Sequence, residues 1–364
     1  MVALILPGGT IVTNIAERLS SYATSLRYED LPTDVVHLAK RMIIDTLGCA
    51  LGGYDGEPSR IARETAATVT SSSPATILGS GLATSPDMAT FANGVMIRYL
   101  DYNDGYTSKE SGHPSDSIAA TLTCSEVGRA GGKGMIVATV LAYEAFCRIC
   151  DAVDIKPGGF DHVTVGGIAS VLGAARCLGL TEDQTLQALN LGIAPNLALY
   201  QTRIGDVSMW KGCAGPIGTR AGIFAAQLAQ QGMTGPFEPF DGSEGLWAKM
   251  LDNPVRLEGG WGEPYSINDT RFKFFPSQGG TQGPAGLAVE LHSQLSTTAE
   301  IEAIRIYIPG QLLLRAVDEP EKWHPKTRET ADHSIPYLVA VALQDGAVTP
   351  ERPKKVKTVI LGCF

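Results

Sequence analysis

The sequence predicts a mainly α protein, with a large all-helical domain followed by a smaller α+β domain. Apolar residues recur at helical spacing from residue 14 to about residue 250. A Gly-, Pro- and Asn-rich stretch then begins near residue 252 and indicates a domain boundary. Beyond it, isoleucines alternate with polar residues at 304–308, which is the period of a strand. We therefore expect a helical domain over 1–267 and an α+β domain over 268–364.

Two helices are predicted in the first hundred residues. The segment LPTDVVHLAKRMIIDTLGCALGG carries an apolar face and ends at Gly52–Gly53. The members of that face are Val36, Leu38, Met42, Ile43, Leu47 and Leu51. In TSPDMATFANGVMIRYL, Ser85 is the candidate N-cap and Pro86 the first helical residue. Its apolar positions are Met88, Phe91, Ala92, Val95 and Tyr99.

The remaining elements follow from the same periodicities. Further helices are predicted at about 131–153, 163–179, 181–193, 215–231 and 243–251. Thr181 and Gln184 form a capping-box pattern at the start of the third of these. In the tail, helices are expected after the 277–284 stretch and in SIPYLVAVALQDG, and a final strand in KVKTVILG. The abundance of Ala and Gly predicts close contacts between helices.

Composition and charge narrow the functional classes. The net charge is −9, and this disfavours nucleic acid or an anionic membrane as a partner. A small anionic substrate stays compatible, because a local basic pocket can lie within an acidic protein. Charged residues make up only 18% of the chain, which suggests surface buried against another subunit. No segment approaches an uncharged span of membrane length.

Cysteine usage and the N-terminus predict a cytoplasmic protein. Seven cysteines, an odd number scattered along the chain, indicate reduced thiols. Cys147 and Cys150 form a CxxC, but they fall within a predicted helix and no second CxxC exists, so core packing is favoured over a zinc or redox site. The N-terminus has no basic region and only a short apolar run, unlike a signal peptide. A mitochondrial matrix location stays open for a eukaryotic source, although no clear transit peptide is visible.

The stretch LDYNDGYTSKESGHPSDS, residues 100–117, interrupts the apolar pattern with many polar groups. Asp101 and Asp104 are three residues apart, so a helical turn would place both carboxylates on one face. After His113, either Ser115 or Asp116 could cap the next helix. A solvated loop with a helix cap and an active site are equally compatible with this stretch alone.

Three other stretches carry residues suited to chemistry. His162 begins a Gly-rich apolar helix, where a histidine is more often structural than catalytic. Lys211 lies between Trp210 and Gly212 just before a helix, so ammonium and backbone N–H groups could together bind a carboxylate, although a solvated lysine gives the same pattern. The segment HPKTRETADHSIPYLVA contains His324, Lys326, His333, Ser334 and Tyr337.

These residues predict acid/base chemistry without a metal. The histidines have no HxxxH spacing, and the sequence lacks a P-loop, a nucleophile elbow and a dinucleotide fingerprint. What remains is a set of carboxylates, imidazoles, a tyrosine and cations. Such a set suits abstraction of a proton next to a carboxylate, with a lysine stabilising the enolate that forms.

Four stretches, taken in order, resemble the MmgE/PrpD family, which includes 2-methylcitrate dehydratase and cis-aconitate decarboxylase. They are LDYNDGYTSKESGHPSDS, FDHVTVGGIASVLGAARCLGL, MWKGCAGPIGTRAGIFAAQLAQQGMTGP and TADHSIPYLVAVALQDG. The resemblance runs from LPTDVVHLAKRMIIDTLGCALGG to LQDGAVTPE, nearly the whole chain. It implies a helical domain and a smaller lid domain with the site between them, usually a homodimer, acting on di- and tricarboxylic acids without metal or organic cofactor.

The resemblance also implies which residues form the site. The catalytic residues it implies are Asp101, His113, His162, Lys211 and Tyr337. The substrate-binding residues that we predict are Asp104, Lys273, Gln278, His333 and Ser334. In this scheme Lys211 and nearby backbone N–H groups hold substrate carboxylates, one histidine removes the acidic proton, and the other protonates the departing hydroxyl. Asp101 orients a histidine, and Tyr337 closes over the site from the lid. Which histidine takes which part stays open.

The interval between Asp101 and His113 resembles the dehydratase branch, which implies dehydration of a 2-alkylcitrate-type acid. Decarboxylases place a small hydroxyl residue where this chain has Gly105, and the family often has a histidine near Gln278 and Gln282. Family members also continue beyond the point where this chain turns to ERPKKVKTVILGCF. Two alternatives therefore stay open, a cis-aconitate decarboxylase-like lyase and a non-catalytic or truncated remnant.

Overall fold

The computed structural model describes residues 14–250, 257, 260–298, 301–307 and 315–351. The chain divides into two compact units. The first comprises Met1–Tyr99, Asn103–Gln201 and Gly212–Arg271, and the second comprises Leu100–Tyr102, Thr202–Lys211 and Phe272–Phe364. Short segments of the second unit thus come from the polar stretch at residue 100 and from the segment that ends at Lys211.

Helices dominate both units. Those of the first unit are α1 (Ile15–Ser25), α2 (Thr33–Gly52), α3 (Glu57–Ala67), α4 (Pro86–Tyr99), α5 (Ile118–Val127), α6 (Gly131–Ala152), α7 (Val163–Leu178), α8 (Glu182–Ile193), α9 (Ala214–Gln230) and α10 (Leu246–Met250). Those of the second are α11 (Gln282–His292), α12 (Arg315–Asp318), α13 (Arg328–Ala331) and α14 (Ile335–Asp345). The prediction of a mainly α protein is confirmed.

Local signals placed several helix ends correctly. Thr181 and Gln184 form the expected reciprocal capping box at the start of α8. Helix α4 begins at Pro86, and α2 ends at Gly52. The predicted apolar face of α2 is only partly right, because Leu51 is 63% exposed while the small residues Ala39 and Ala50 are buried.

Helix α7 is the centre of the first unit. It packs against α1, α5, α6, α8 and α9. Its crossing with α9 needs glycine, because a Cβ at Gly218 would lie 3.2 Å from the carbonyl oxygen of Val163, and one at Gly222 would lie 3.0 Å from the amide nitrogen of Val171. The small residues of α7 and α9 therefore allow the close helix contact that the sequence predicted.

Two short hairpins also belong to the first unit. Strands β1 (Ala75–Ile77) and β2 (Leu82–Thr84) pair antiparallel, as do β3 (Tyr106–Thr107) and β4 (Ser111–Gly112). The prediction of an all-helical first domain is therefore wrong in detail. Strands of two or three residues are too short to show an alternating pattern in the sequence.

Helices α11 and α14 form most of the described core of the second unit, and α12 and the residues after α14 add to it. Its buried residues are Ala285, Ala288, Ala316, Ile335, Leu338, Val339, Ala342, Leu343 and Val348. No strand is formed at 301–307, so the strand predicted at 304–308 is wrong over that part, and Ile308 lies outside the described residues. Ile304 and Ile306 nevertheless pack against this core while Tyr307 is exposed, so the alternation reports side-chain burial without a strand. The final predicted strand and most of the boundary stretch near residue 252 also lie outside the described residues.

Two further observations concern the predicted core packing of the CxxC cysteines and the possibility of a membrane span. Cys147 and Cys150 lie within α6 as free, buried thiols, as the prediction of core packing requires. In the described ranges, no helix combines the length and apolar character needed to cross a membrane.

Candidate active site

The polar stretch at residues 100–117 is not a solvated loop. Asp101, Asn103, Asp104, Glu110 and Asp116 are all between 0% and 5% exposed. Burying five such side chains is costly unless each finds partners. The contacts that satisfy them build two groups of residues, one in each unit.

The first unit brings His113 and His162 together, and we call them the histidine pair. Their ring centroids are 5.5 Å apart with an interplanar angle of 68°. Gly112 makes this approach possible, because a Cβ there would lie 2.6 Å from the His162 ring. The Nε2 atom of His162 is buried and has no hydrogen-bond partner among the described residues. It is therefore an imidazole nitrogen that the fold keeps away from water.

Each imidazole of the pair is oriented through its Nδ1 atom. His113 Nδ1 lies 2.6 Å from the carbonyl oxygen of Asp104, and His162 Nδ1 lies 2.9 Å from Oδ1 of Asp161. Both partners are acceptors, so the hydrogen-bond network assigns a proton to Nδ1 of each ring. In the neutral form, Nε2 is then the basic atom of both histidines.

Asp104 forms part of the frame that supports the pair. Its Oδ1 accepts a hydrogen bond from the amide of Ser115 at 3.1 Å, and its Oδ2 accepts one from the hydroxyl of Tyr143 at 2.7 Å. Burial raises the pKa of Asp104 to about 6, and the neighbouring Asp116 adds to the rise. Both carboxyl oxygens thus have protein partners, a geometry suited to holding the His113 segment in place.

Asp104→Asn is expected to flatten the pH dependence of stability. Because the folded-state pKa lies above the unfolded value of 3.8, the native state binds the extra proton, and stability falls as pH rises from about 4 to about 6. The loss by pH 7 is about 3 kcal/mol, at about 1.4 kcal/mol per pKa unit. An uncharged Asn removes this dependence, and urea unfolding between pH 4 and pH 7 measures it.

The control for that experiment is Asp55→Asn, which removes an exposed carboxylate from the same unit. Wild-type and Asp55→Asn proteins should lose the same free energy of unfolding between pH 4 and pH 7, and Asp104→Asn should lose less. Parallel profiles for all three proteins would contradict the assigned role of Asp104.

A network around Arg98 holds Asn103 and Asp116, whereas Glu110 is paired with Lys156 and accepts from the amide of Ile155. Arg98 donates to Oδ1 of Asn103 at 2.6 Å and lies 3.4 Å from Oδ1 of Asp116. Asn103 in turn donates to the Ser115 hydroxyl and to Asp116. The prediction that Ser115 or Asp116 caps α5 is therefore wrong: a 3-10 turn precedes α5, and both side chains serve this network instead.

In the second unit, Asp101 is the centre of a lysine cluster formed with Lys211, Lys273 and His333. Its Oδ2 lies 2.9 Å from Nζ of Lys211, and its Oδ1 lies 2.9 Å from Nζ of Lys273. Lys273 also donates to the Asp101 carbonyl at 2.7 Å. Nε2 of His333 lies 3.9 Å from Asp101 Oδ2.

The backbone at Asp101 has a left-handed conformation. Its φ of 49° is in the left-handed region, which commonly follows the last turn of a helix and which Asp tolerates better than most residues. The expected helical turn over Asp101 and Asp104 is therefore not formed.

His333 is kept neutral within the lysine cluster. Burial lowers its pKa well below the usual value, and the positive charge of Lys211 adds to the effect. Its Nδ1 lies 3.0 Å from the carbonyl of Glu329, which assigns the proton to Nδ1 and leaves Nε2 as an acceptor. Arg203 and Lys322 lower the same pKa further, so the surroundings are positively charged. Such a group of cations suits a substrate that carries carboxylates.

The other predicted residues of the second unit have varied surroundings. Ser334 is the N-cap of α14, accepting from the amide of Tyr337 and donating to the carbonyl of Lys322. Tyr337 packs against the core of α11 and α14. The Oε1 atom of Gln278 is buried without a hydrogen-bond partner in the part of the chain that the structure describes. Binding of substrate by these residues stays a prediction.

Sequence reasoning missed several of these residues. Asp161 directly precedes His162 and was visible as a candidate orienting carboxylate. Tyr143 lies within the apolar helix α6, and nothing in the local sequence connects it with Asp104. Across the described ranges, no three His, Cys, Asp or Glu side chains come together in a way that could hold a metal ion.

Comparison with known proteins assigns the family. The model of the MmgE/PrpD N-terminal domain matches residues 17–258, and that of the MmgE/PrpD C-terminal domain matches residues 275–356. The chain is 28% identical to a 2-methylcitrate dehydratase of Cupriavidus necator, over 89% of this chain and 70% of that protein. It is 27% identical to a 2-methylcitrate dehydratase of Escherichia coli, over 93% of this chain and 72% of that protein. It is 25% identical to a human cis-aconitate decarboxylase, again over 93% of this chain and 72% of that protein. The chain belongs to the MmgE/PrpD family.

Proposed function

We propose that this chain is a lyase that dehydrates a hydroxylated tricarboxylic acid of the 2-methylcitrate type. The observation that carries the proposal is the histidine pair, two adjacent imidazoles each oriented through Nδ1. Dehydration next to a carboxylate needs one base and one acid, and two imidazoles supply both near neutral pH. The names of the similar dehydratases support the choice of substrate class.

In the proposed reaction, one imidazole takes the proton from the carbon that bears a carboxylate. The electron pair of that C–H bond forms the C=C bond, and the C–O bond to the hydroxyl breaks. The second imidazole, in its protonated form, gives its proton to the leaving hydroxide, which departs as water. The products are an unsaturated tricarboxylate and water, and exchange with solvent restores the starting protonation of both rings.

The lysine cluster is the proposed receptor for substrate carboxylates. Lys211 and Lys273 are buried and both lie within 2.9 Å of the Asp101 carboxylate. A substrate carboxylate that binds beside these ammonium groups would accept charge-assisted hydrogen bonds, which are among the strongest in proteins. Neutral His333 could accept a hydrogen bond from a substrate hydroxyl. Neither carboxylate binding by the lysines nor hydrogen bonding by His333 needs a metal or an organic cofactor, so we propose a reaction without either.

We further propose that the chain acts as a homodimer in a reducing compartment such as the cytoplasm. Ile44 and Leu51 of α2 and Ile61 of α3 are apolar and 68%, 63% and 44% exposed. Burial of such residues against a second copy would remove apolar surface from water. The six cysteines of the described residues are buried and form no disulfide with one another, as a reducing compartment permits. Sedimentation that gives the mass of one chain would contradict the dimer.

The proposal is tested by incubating the purified chain with 2-methylcitrate, citrate and cis-aconitate and analysing the products by NMR. The expected result is an unsaturated tricarboxylate formed from 2-methylcitrate, faster than from citrate. Release of CO2 from cis-aconitate would instead indicate a decarboxylase. Folded protein that converts none of the three acids would indicate a non-catalytic member of the family.

A further inference from the structure

The Asp161 side chain lies between His162 and the start of α7. It is fully buried, and its Oδ1 lies 2.9 Å from Nδ1 of His162 and 3.2 Å from the amide nitrogen of Val163. One oxygen therefore accepts from both the imidazole and the helix N-terminus. A buried carboxylate against Nδ1 of a histidine is the arrangement that fixes the tautomer of catalytic imidazoles.

The backbone around Asp161 is anchored from both sides. Its amide donates to the carbonyl of Ala198 at 2.8 Å, and its carbonyl accepts from the amide of Thr164 at 3.0 Å. The hydroxyl of Thr164 accepts in turn from the amide of Ala198 at 3.1 Å. A further backbone bond joins Tyr200 to Gly159 at 2.9 Å. These bonds fix the position of the Asp161 backbone, and the contacts of Oδ1 with His162 and with the amide of Val163 set the orientation of its carboxylate.

The two members of the histidine pair differ in what holds them. His113 faces the neutral carbonyl of Asp104, whereas His162 faces the carboxylate of Asp161. When an imidazole takes up a proton at Nε2, it becomes a cation. An adjacent carboxylate stabilises that cation more than a carbonyl does, because it carries a full negative charge.

We propose that Asp161 is a positioning residue that fixes His162 with its proton on Nδ1, making Nε2 of His162 the base that removes the substrate proton. His113 is then the acid that protonates the leaving hydroxide. The buried Nε2 of His162, without a partner among the described residues, is the atom that receives the proton. This inference rests on the proposed function and assigns the two roles that the sequence left open.

The competing explanation is that Asp161 only caps α7 through the amide of Val163. Asp161→Asn separates the two, because the Asn oxygen can still accept from that amide while the charge is lost. We expect kcat to fall about 10⁴-fold with KM changed less than about threefold, because a loss of about 10⁴ is the scale seen when an orienting carboxylate is neutralised in a triad. A merely structural role predicts an unchanged kcat.

The matched control is Asp241→Asn. Asp241 accepts from the amide of Ile15 at the start of α1, so this variant weakens a helix N-terminus elsewhere in the same unit. We expect its kcat to stay within a factor of two of the wild-type value. A loss as large as that of Asp161→Asn would overturn the inference, because capping alone would then explain both.

A second readout needs no turnover. Nitrogen-15 NMR of the histidine side chains, with His162→Gln to assign the signals, should show His162 as the Nδ1–H tautomer alone. Asp161→Ala should show a mixture of both tautomers. A wild-type His162 in the Nε2–H form, or an unchanged spectrum in Asp161→Ala, would overturn the inference. If the NMR result is as expected and the chain converts none of the acids, the proposed function fails and the positioning role stands.

Discussion

Replacing Asp101 with Asn is expected to lower the free energy of unfolding by about 3–5 kcal/mol, the cost of breaking a buried ion pair by removing one partner. The change leaves Lys211 and Lys273 buried side by side without their shared carboxylate. Asn is the matched substitution, because it tolerates the left-handed φ of 49° at this position and keeps the size of the side chain. The loss of unfolding free energy therefore measures the effect of removing the negative charge. Urea or thermal unfolding measures it.

The double variant Asp101→Asn/Lys211→Met tests the physical cause. Removing one lysine together with the carboxylate restores the net charge that the cluster has in the wild-type protein. We expect the double variant to lose less free energy of unfolding than the two single variants lose together. The difference should be at least about 1.5 kcal/mol, as for close charge pairs in double-mutant cycles. Strictly additive losses would show that these charges do not interact in the way the distances imply.

His113→Gln and His162→Gln are each expected to lower kcat by about 10²- to 10⁴-fold, the range for removal of a general acid or base. Glutamine keeps a polar side chain of similar length but cannot exchange protons near neutral pH. Because the two rings act in one proton transfer sequence, the double variant should lose little more than the more damaging single variant. Steady-state kinetics with the preferred acid measures these values.

His37→Gln is the control for the histidine variants, because His37 is exposed on α2. It should retain full activity and stability. Activity within threefold of wild type in both His113→Gln and His162→Gln would contradict the proposed acid/base pair, and with it the inference about Asp161.

The helical part of this fold was predictable because its signals are local. The capping box at Thr181 and the two glycines at the end of α2 lie within a few residues of the ends that they mark. The strand predicted at 304–308 is not formed over its described part, because alternation indicates only which side chains are buried. A strand also needs a hydrogen-bonded neighbour, and the sequence pattern does not specify one. The hairpin β3–β4 was missed for the opposite reason, since strands of two residues have almost no pattern.

The sequence indicated candidate site residues but did not indicate how the folded chain groups them. Asp101 meets Lys211 and Lys273 across 110 and 172 residues of sequence, and Asp104 meets Tyr143 across 39. No local rule connects positions so far apart, and the family resemblance named residues without their partners. Asp101 and Asp104 illustrate the limit: three residues apart and similar in chemistry, one is paired with two lysines and the other with a tyrosine and an amide. Their environments, which only the folded chain creates, separate their roles.

In the proposed function, this chain moves one proton and one hydroxyl between water and a tricarboxylate through the histidine pair. The most direct test runs the reaction in reverse, by incubating the unsaturated acid derived from 2-methylcitrate with the chain in D2O and following it by NMR and mass spectrometry. We expect the wild-type chain to form a hydroxyacid that keeps all three carboxylates and carries one carbon-bound deuterium per molecule, and His162→Gln to form it far more slowly. Deuterium uptake with loss of CO2, or no hydration by a folded wild-type chain, would contradict it.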